Sequence, residues 1–326
     1  MISVVVALAA VAALQQWQDF RRFEQQPLFD GGVGVLWVRP GDTLPGVAAR
    51  MAALGAQASP WHWRLLGRLR QPVIRVGEYR LAPGLTPSDL LQVLEQGQVI
   101  GHSFTIVEGW TLARLRAELS ADSRLQAVTA ELEDGALMQR LGCSECFAEG
   151  WFLPETYRFE RGDRDLDLLA RAHRAMRQEL EQAWQVRDPQ LPLDEIDELL
   201  VLASLVEAET TVDAELAQVA GVFMRRLRLG MRLQTDPTVV YGLDENFDGR
   251  IRRVHLRTDH PWNTYTRHGL PPTPIALPGA AALRATANPA AGDALYFVAR
   301  GDGTHHFSAT LAEHNRAVAR YILGRE

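Results

Sequence analysis

A chain of 326 residues is long enough for two domains of ordinary size and a substantial core. Its 47% apolar and 23% charged residues exclude wholesale disorder, and a net charge of −6 gives no reason to expect nucleic acid as a partner. All 34 basic residues are arginine, which excludes lysine Schiff bases and Walker-type phosphate loops.

The chain opens on MISVVVALAAVAALQQW, an uncharged apolar run through Leu14 followed by Trp17 as a candidate interface anchor. A spanning helix needs about 20 apolar residues. This run is shorter and no basic segment precedes it. Residues 1–17 therefore read as an apolar membrane anchor whose numbering begins inside the segment. A buried core helix is the competing reading. Arg21 and Arg22 follow, and the positive-inside rule alone would leave the body in the cytoplasm.

One local pattern then recurs three times: an apolar strand, a Gly, one residue, a Thr, and a helix. It occurs at Gly41 and Thr43, at Gly84 and Thr86, and at Gly109 and Thr111. Gly permits the turn, Thr caps the helix, and Pro87 suits the first helical position. Between the first two units SPWHWRLLGRLR reads as a helix capped by Ser59. Residues 34–81 thus have the order strand–helix–helix–strand, which suits a small two-stranded sheet covered by two helices.

From Ser103 onward helical patterns dominate. DLDLLARAHRAMRQELEQAW has helical spacing at Leu168, Leu169, Ala172 and Met176, and RDPQLP breaks the chain after it. Two more helices follow, IDELLVLASLVEAET and TTVDAELAQVAGVFMRRLRLG, the second closed by Gly230. Between Met231 and Pro278 periodicity fades; a loop region of that length in a compact protein is usually functional or disordered. Its Tyr241, Trp262 and Tyr265 argue against disorder. ALYFVARGDGTHHFSAT reads as a hairpin around Gly301-Asp302-Gly303, and Thr310 caps a last helix.

Cys143 and Cys146, in LGCSECF, are the only cysteines. A C-x-x-C is a redox pair, half a zinc site or a disulfide. The absence of a second pair excludes a four-cysteine zinc site within one chain. A small structural disulfide is preferred in an oxidising compartment, and an inert thiol pair is the alternative.

ASLVEAET, Ala203 to Thr210, ends a helix apolar enough to be buried, yet carries Glu207 and Glu209. Positions two apart lie about 200° around a helix, so the two acids cannot face one cleft. Glu207 shares a face with Ala203 and Ser204, small neighbours that leave room for a ligand; Glu209 sits near the helix end, where it can reach solvent. If one acid is chemical, Glu207 is the better candidate. MRLQTDPTVVYG supplies Gln234, Thr235 and Asp236, the last also readable as a helix cap, and HPWNTYTRHG supplies Asn263, Thr264 and Tyr265. Amide, hydroxyl and aromatic groups of this kind suit a sugar.

ASLVEAET, then VAGVFMRRLRLGMRLQTDPTVVYG, the NTY and GLPPTPIALPG segments, HHFSATLAEHNRAV and the earlier EGWFLPETYRF together resemble the endolytic murein transglycosylase, or YceG-like, family, in order from about Trp37 to the C-terminus. The resemblance implies an α+β protein: a LysM-like β-α-α-β module over residues 34–100, a mixed α+β YceG-like catalytic domain over 101–326, and an N-terminal apolar anchor segment. It implies a single-pass protein of the inner membrane with its body in the periplasm. It also implies cleavage within peptidoglycan glycan strands by one acid, which falls on Glu207. The motif residues around the cleft fall on Gln234, Thr235, Asp236, Asn263, Thr264 and Tyr265. No metal or cofactor is implied; peptidoglycan synthases are the implied protein partners. The Cys143/Cys146 pair corresponds to no motif of the family. The runner-up is a non-catalytic peptidoglycan-binding scaffold. A metal hydrolase using His255, His260, His268, His305, His306 or His314 is disfavoured because no H-E-x-x-H or similar pair occurs.

Overall fold

The computed structural model describes residues 2–29, 34–56, 59–243 and 247–324. Met1, at the head of the apolar run, residues 57–58 in the expected module, and residues 244–246 and 325–326 in the expected catalytic domain lie outside the described residues. The chain divides into two compact units, Met1–His102 with Arg158–Asp163, and Ser103–Tyr157 with Arg164–Glu326. Helices and small two-stranded sheets make a mixed α+β protein.

The first unit begins with α1 (Ile2–Gln25), which runs well past Trp17. Residues 2–19 are exposed, so the core-helix reading of the apolar run does not hold. By length and composition α1 is sufficient to cross a membrane. Its last two turns enter the unit, where Phe23 stacks on His62 and meets the edge of Trp63. β1 (Gly34–Val38), α2 (Leu44–Ala53), α3 (Pro60–Arg70), β2 (Gly77–Leu81) and α4 (Pro87–Gln96) follow. β1 and β2 pair antiparallel, Gly34 opposite Leu81 and Val38 opposite Gly77. The strand–helix–helix–strand order expected from the sequence is therefore present. Trp63, Tyr79 and Phe20 are its largest fully buried side chains, and burial of such aromatic area dominates the stability of a small core.

The recurring Gly-x-Thr start works as its chemistry dictates. Gly41, Gly84 and Gly109 all take left-handed φ, between 74° and 81°. Thr86 forms a reciprocal capping box with Asp89, and Thr111 accepts from the Arg114 amide. Thr43 takes the cap position of α2 without a side-chain bond.

β3 (Gly101–Thr105) and β4 (Thr156–Glu160) form a sheet of their own. The second unit holds α5 (Leu112–Ala121), α6 (Asp134–Arg140), α7 (Asp165–Gln185), α8 (Ile196–Glu209), α9 (Asp213–Arg228), α10 (Asp236–Tyr241), α11 (Arg253–Arg257), α12 (Ala280–Ala287), the hairpin β5 (Tyr296–Ala299) and β6 (His305–Ser308), and α13 (Leu311–Tyr321). α8 is the central helix: every residue from Leu199 to Val206 is buried. α7, α9, α10 and α12 pack around it. A helix apolar on all sides must be enclosed on all sides, and here it is. Among the described residues, the segment between α9 and α12 forms the short α10 and α11 and otherwise runs as loop. Cys143 and Cys146 form a disulfide just after α6.

Candidate active site

The last turn of α8 presents the two acids to different surroundings. Ser204 is fully buried against a main-chain segment, and Glu207, part-exposed, touches the same segment. The Ile275 amide donates to Ser204 Oγ (3.1 Å), and the Gly279 amide donates to Glu207 Oε2 (2.9 Å). The room left by Ala203 and Ser204 is thus filled by residues 275–279, which lead into α12. Burial pushes the Glu207 carboxyl up to about 7, with the Gly279 bond opposing and the Glu108 and Asp213 charges assisting.

Glu209, the final residue of α8, is part-buried and opens onto a cavity rather than onto free surface. It lies in a cavity of about 390 Å³ lined also by Arg226, Gln234, Asp236, Tyr265, Tyr296, His305 and His314. Thr235 Oγ1 donates to its carboxyl. Burial pushes Glu209 up to about 7; Thr235 pulls it down, Asp236 raises it, and His305 and Arg226 lower it.

The six polar residues singled out from the sequence come together here in two roles. Thr235, Asn263 and Thr264 are buried and build the frame. Thr264 Oγ1 accepts from the Thr235 amide (3.1 Å) and shares a bond with Thr238 Oγ1 (2.8 Å). Asn263 donates to the carbonyls of His255 (3.2 Å) and Thr258 (2.8 Å), folding the loop back on itself. Gln234, Asp236 and Tyr265 face the cavity. Gln234 holds a left-handed φ of 51°, and Tyr265 O–H donates to Asp236 Oδ1 at 2.5 Å. Asp236 is therefore not the cap of α10: the cap position belongs to Thr235, without a side-chain bond, and the Asp236 carboxylate is turned to Tyr265.

Two residues of this wall were not among the cleft residues expected from the sequence. Arg226 is 7% exposed, donating through Nε to the Leu295 carbonyl (2.7 Å) and through Nη1 to the Leu233 carbonyl (2.6 Å). Its position was legible, because it continues the buried stripe of Leu216, Val219, Val222 and Phe223 on α9. His305, weighed from the sequence as a disfavoured metal ligand, is gripped by Glu215 of α9: the carboxylate accepts from its amide (2.8 Å) and meets Nδ1 (2.8 Å).

Glu149 is a third raised acid, deeper in the unit. The Leu112 amide, at the start of α5, donates to both its oxygens (2.9 and 3.1 Å), and Tyr241 O–H approaches at 3.3 Å. Burial pushes it up to about 7. Glu149→Ala leaves the Leu112 amide unpaired and removes a partner of Tyr241. A loss of about 1–3 kcal/mol is expected from such a change, read as a lower denaturant midpoint; an unchanged midpoint would contradict it.

The histidines are dispersed. His268 meets the Gly230 carbonyl, His314 stacks on Tyr296, His306 lies by Tyr321, His255 by Phe247, and His260 beside Gly242. No group of three or more His, Cys, Asp or Glu side chains gathers to hold a metal among the described residues.

A carboxylic acid held near neutrality, in a cavity walled by hydroxyls, an amide and aromatic rings, is the equipment of an enzyme that works by proton transfer. The YceG-like family model matches residues 36–320, and the chain belongs to that family. It is similar to a protein named endolytic murein transglycosylase from Bacillus subtilis (strain 168), 32% identical over 77% of this chain and 74% of that protein. It is also similar to one of the same name from Streptococcus pneumoniae, 26% identical over 76% of this chain and 51% of that protein. Among solved structures, a yceG-like protein from Listeria monocytogenes matches in fold, with a TM-score of 0.56 and 24% identity over 87% of this chain and 98% of that one.

Proposed function

We propose that this protein is an endolytic lytic transglycosylase of peptidoglycan, cutting between N-acetylmuramic acid and N-acetylglucosamine inside glycan strands. The observation that carries the proposal is the raised acid Glu209 in its polar cavity, together with membership of a family whose relatives bear that name. Glu209, protonated, gives its proton to the glycosidic oxygen. The muramoyl C6 hydroxyl attacks C1, and ionised Glu209 takes the hydroxyl proton. The C1–O bond breaks, a C1–O6 bond forms, and the strand ends in 1,6-anhydromuramic acid. Asp236 repels the ionised form of Glu209 and so favours its acid form.

The sequence pointed to Glu207 instead, and one observation keeps it as the alternative acid: its carboxyl is also pushed up to about 7. Its bond to the Gly279 amide, and the polar cavity that holds Glu209 and not Glu207, favour Glu209.

The β1–α2–α3–β2 order supports residues 34–100 as a LysM-like wall-binding module ahead of a catalytic domain over 101–326. A groove of about 820 Å³ there, lined by Trp61, Trp63, Asp42 and Arg64 among others, offers the aromatic and polar surface that sugars favour. α1 supports a single-pass anchor with the body in the periplasm, facing nascent strands and the synthases that make them. The disulfide agrees with an oxidising compartment, while Arg21 and Arg22 weigh against this orientation.

Incubation of the purified protein with uncrosslinked glycan strands tests the proposal. Strand length should fall through internal cuts. Strands that are retained but stay uncut would favour a binding scaffold.

A further inference from the structure

One wall of the cavity around Glu209 is the strand β5. β5 contributes Tyr296, Phe297, Val298 and Ala299 to it in unbroken succession. Among the described residues the sheet has two strands, so β5 has one partner and one open edge. The ladder fixes which backbone groups point outward. The Arg300 amide donates to the Thr304 carbonyl (2.8 Å), which makes these two a hydrogen-bonded pair. In an antiparallel ladder such pairs alternate with pairs whose N–H and C=O point away from the partner strand. Ala299 lies opposite His305 and Phe297 opposite Phe307, so Ala299 and Phe297 carry the outward groups. β6 obeys the same count: the His305 amide points away from β5 and donates to Glu215 (2.8 Å). On β5, Phe297 and Ala299 make no backbone hydrogen bond beyond the hairpin among the described residues. A helix meets each face of β5. Phe297 meets Phe223 of α9, and Tyr296 stacks on His314 of α13. What remains open is the edge.

We propose that this edge receives the stem peptide of the glycan substrate as an added strand. The proposal rests on the transglycosylase reading and deepens it. An extended peptide gains main-chain hydrogen bonds by pairing with an exposed strand edge. In murein the peptide hangs from the lactyl group of muramic acid, the sugar whose C1 is attacked. An enzyme that used both would need its acid and its peptide dock in one cavity, and Glu209 and β5 share one. Arg300, exposed at the end of β5, and Arg226, whose guanidinium lies 5.1 Å from the Tyr296 ring centre, flank the strand with charge that suits the carboxylates of such a peptide.

The test is binding by the full chain with both acids silenced, Glu207→Gln and Glu209→Gln together. The probes are peptide-bearing glycan strands and the same strands stripped of peptide by an amidase. Peptide-bearing strands should bind tighter by about tenfold or more, the equivalent of one or two net hydrogen bonds. Ala299→Pro removes an outward amide and no ladder bond, and should bring that ratio toward one. Hydrogen exchange of the parent chain gives a readout without substitution: the Phe297 and Ala299 amides should slow with peptide-bearing strands and not with stripped ones. Equal affinity for the two probes, or amides left unprotected by the peptide-bearing strands, overturns the proposal. Cleavage is measured separately on the parent chain, so failure to cut either strand counts against the transglycosylase reading while binding judges the edge.

Discussion

Glu209→Gln is expected to lower turnover on glycan strands by about 10²–10⁴-fold, the usual contribution of a positioned general acid. The amide is nearly isosteric and can still accept from Thr235, so melting temperature should hold or rise. Glu207→Gln should leave turnover within the same order of magnitude, because its carboxyl serves the Gly279 amide and residues 275–279 run beside it. Steady-state kinetics on the two variants, alongside thermal melts, separates chemistry from folding. A silent Glu207 variant beside an active Glu209 variant would move the acid to Glu207.

The second large effect is on pH. In the proposed mechanism only protonated Glu209 donates, and its pKa is pushed up to about 7. Turnover should therefore be flat below that value and fall by about tenfold per pH unit above it. A rate that stays level to pH 9 would show that the acid does not titrate near neutrality. Stability follows the same protons. Glu149, Glu207 and Glu209 each rise from 4.5 to about 7 in the folded chain. Between those values the native state binds protons that the unfolded chain has released. The associated stability is complete below the unfolded value, and it is lost as pH rises through 7. Denaturant midpoints should decline from pH 5 to pH 8, and Glu209→Gln should make that decline shallower.

Local chemistry made much of the fold legible. Gly41, Gly84 and Gly109 with their threonines set three helix starts because turn and cap involve only neighbouring residues. The hairpin around Gly301 and the helix begun at Thr310 were readable for the same reason. The burial of α8 was readable from its unbroken apolar run. The surroundings of its two acids were not. Spacing showed that Glu207 and Glu209 face apart, but what covers each face is decided by residues 275–279, Thr235 and Tyr265, distant in sequence. Small side chains at Ala203 and Ser204 signalled space, and the chain itself occupies it. Asp236 before a proline looked like a cap, yet a tyrosine 29 residues away claims its carboxylate. Arg226 could have been found, since a charge on a buried stripe demands partners. The open edge of β5 could not, because an edge exists only by the absence of a third strand.

The chemical fate of the new strand end tests the central claim most directly. Water could attack C1 in place of the C6 hydroxyl if a second carboxylate activated it, and Asp236 lies in the same cavity as Glu209. Tyr265 occupies one oxygen of Asp236. A well-oriented tethered hydroxyl, by contrast, acts at an effective concentration on the order of 10⁵ M or more. Digestion of purified glycan strands in ¹⁸O-water, followed by mass spectrometry of the fragments, separates the two routes. The account predicts 1,6-anhydromuramoyl ends, lighter by one water than hydrolysis products and free of ¹⁸O. Reducing muramoyl ends carrying ¹⁸O would contradict it and make Asp236 the water-activating carboxylate.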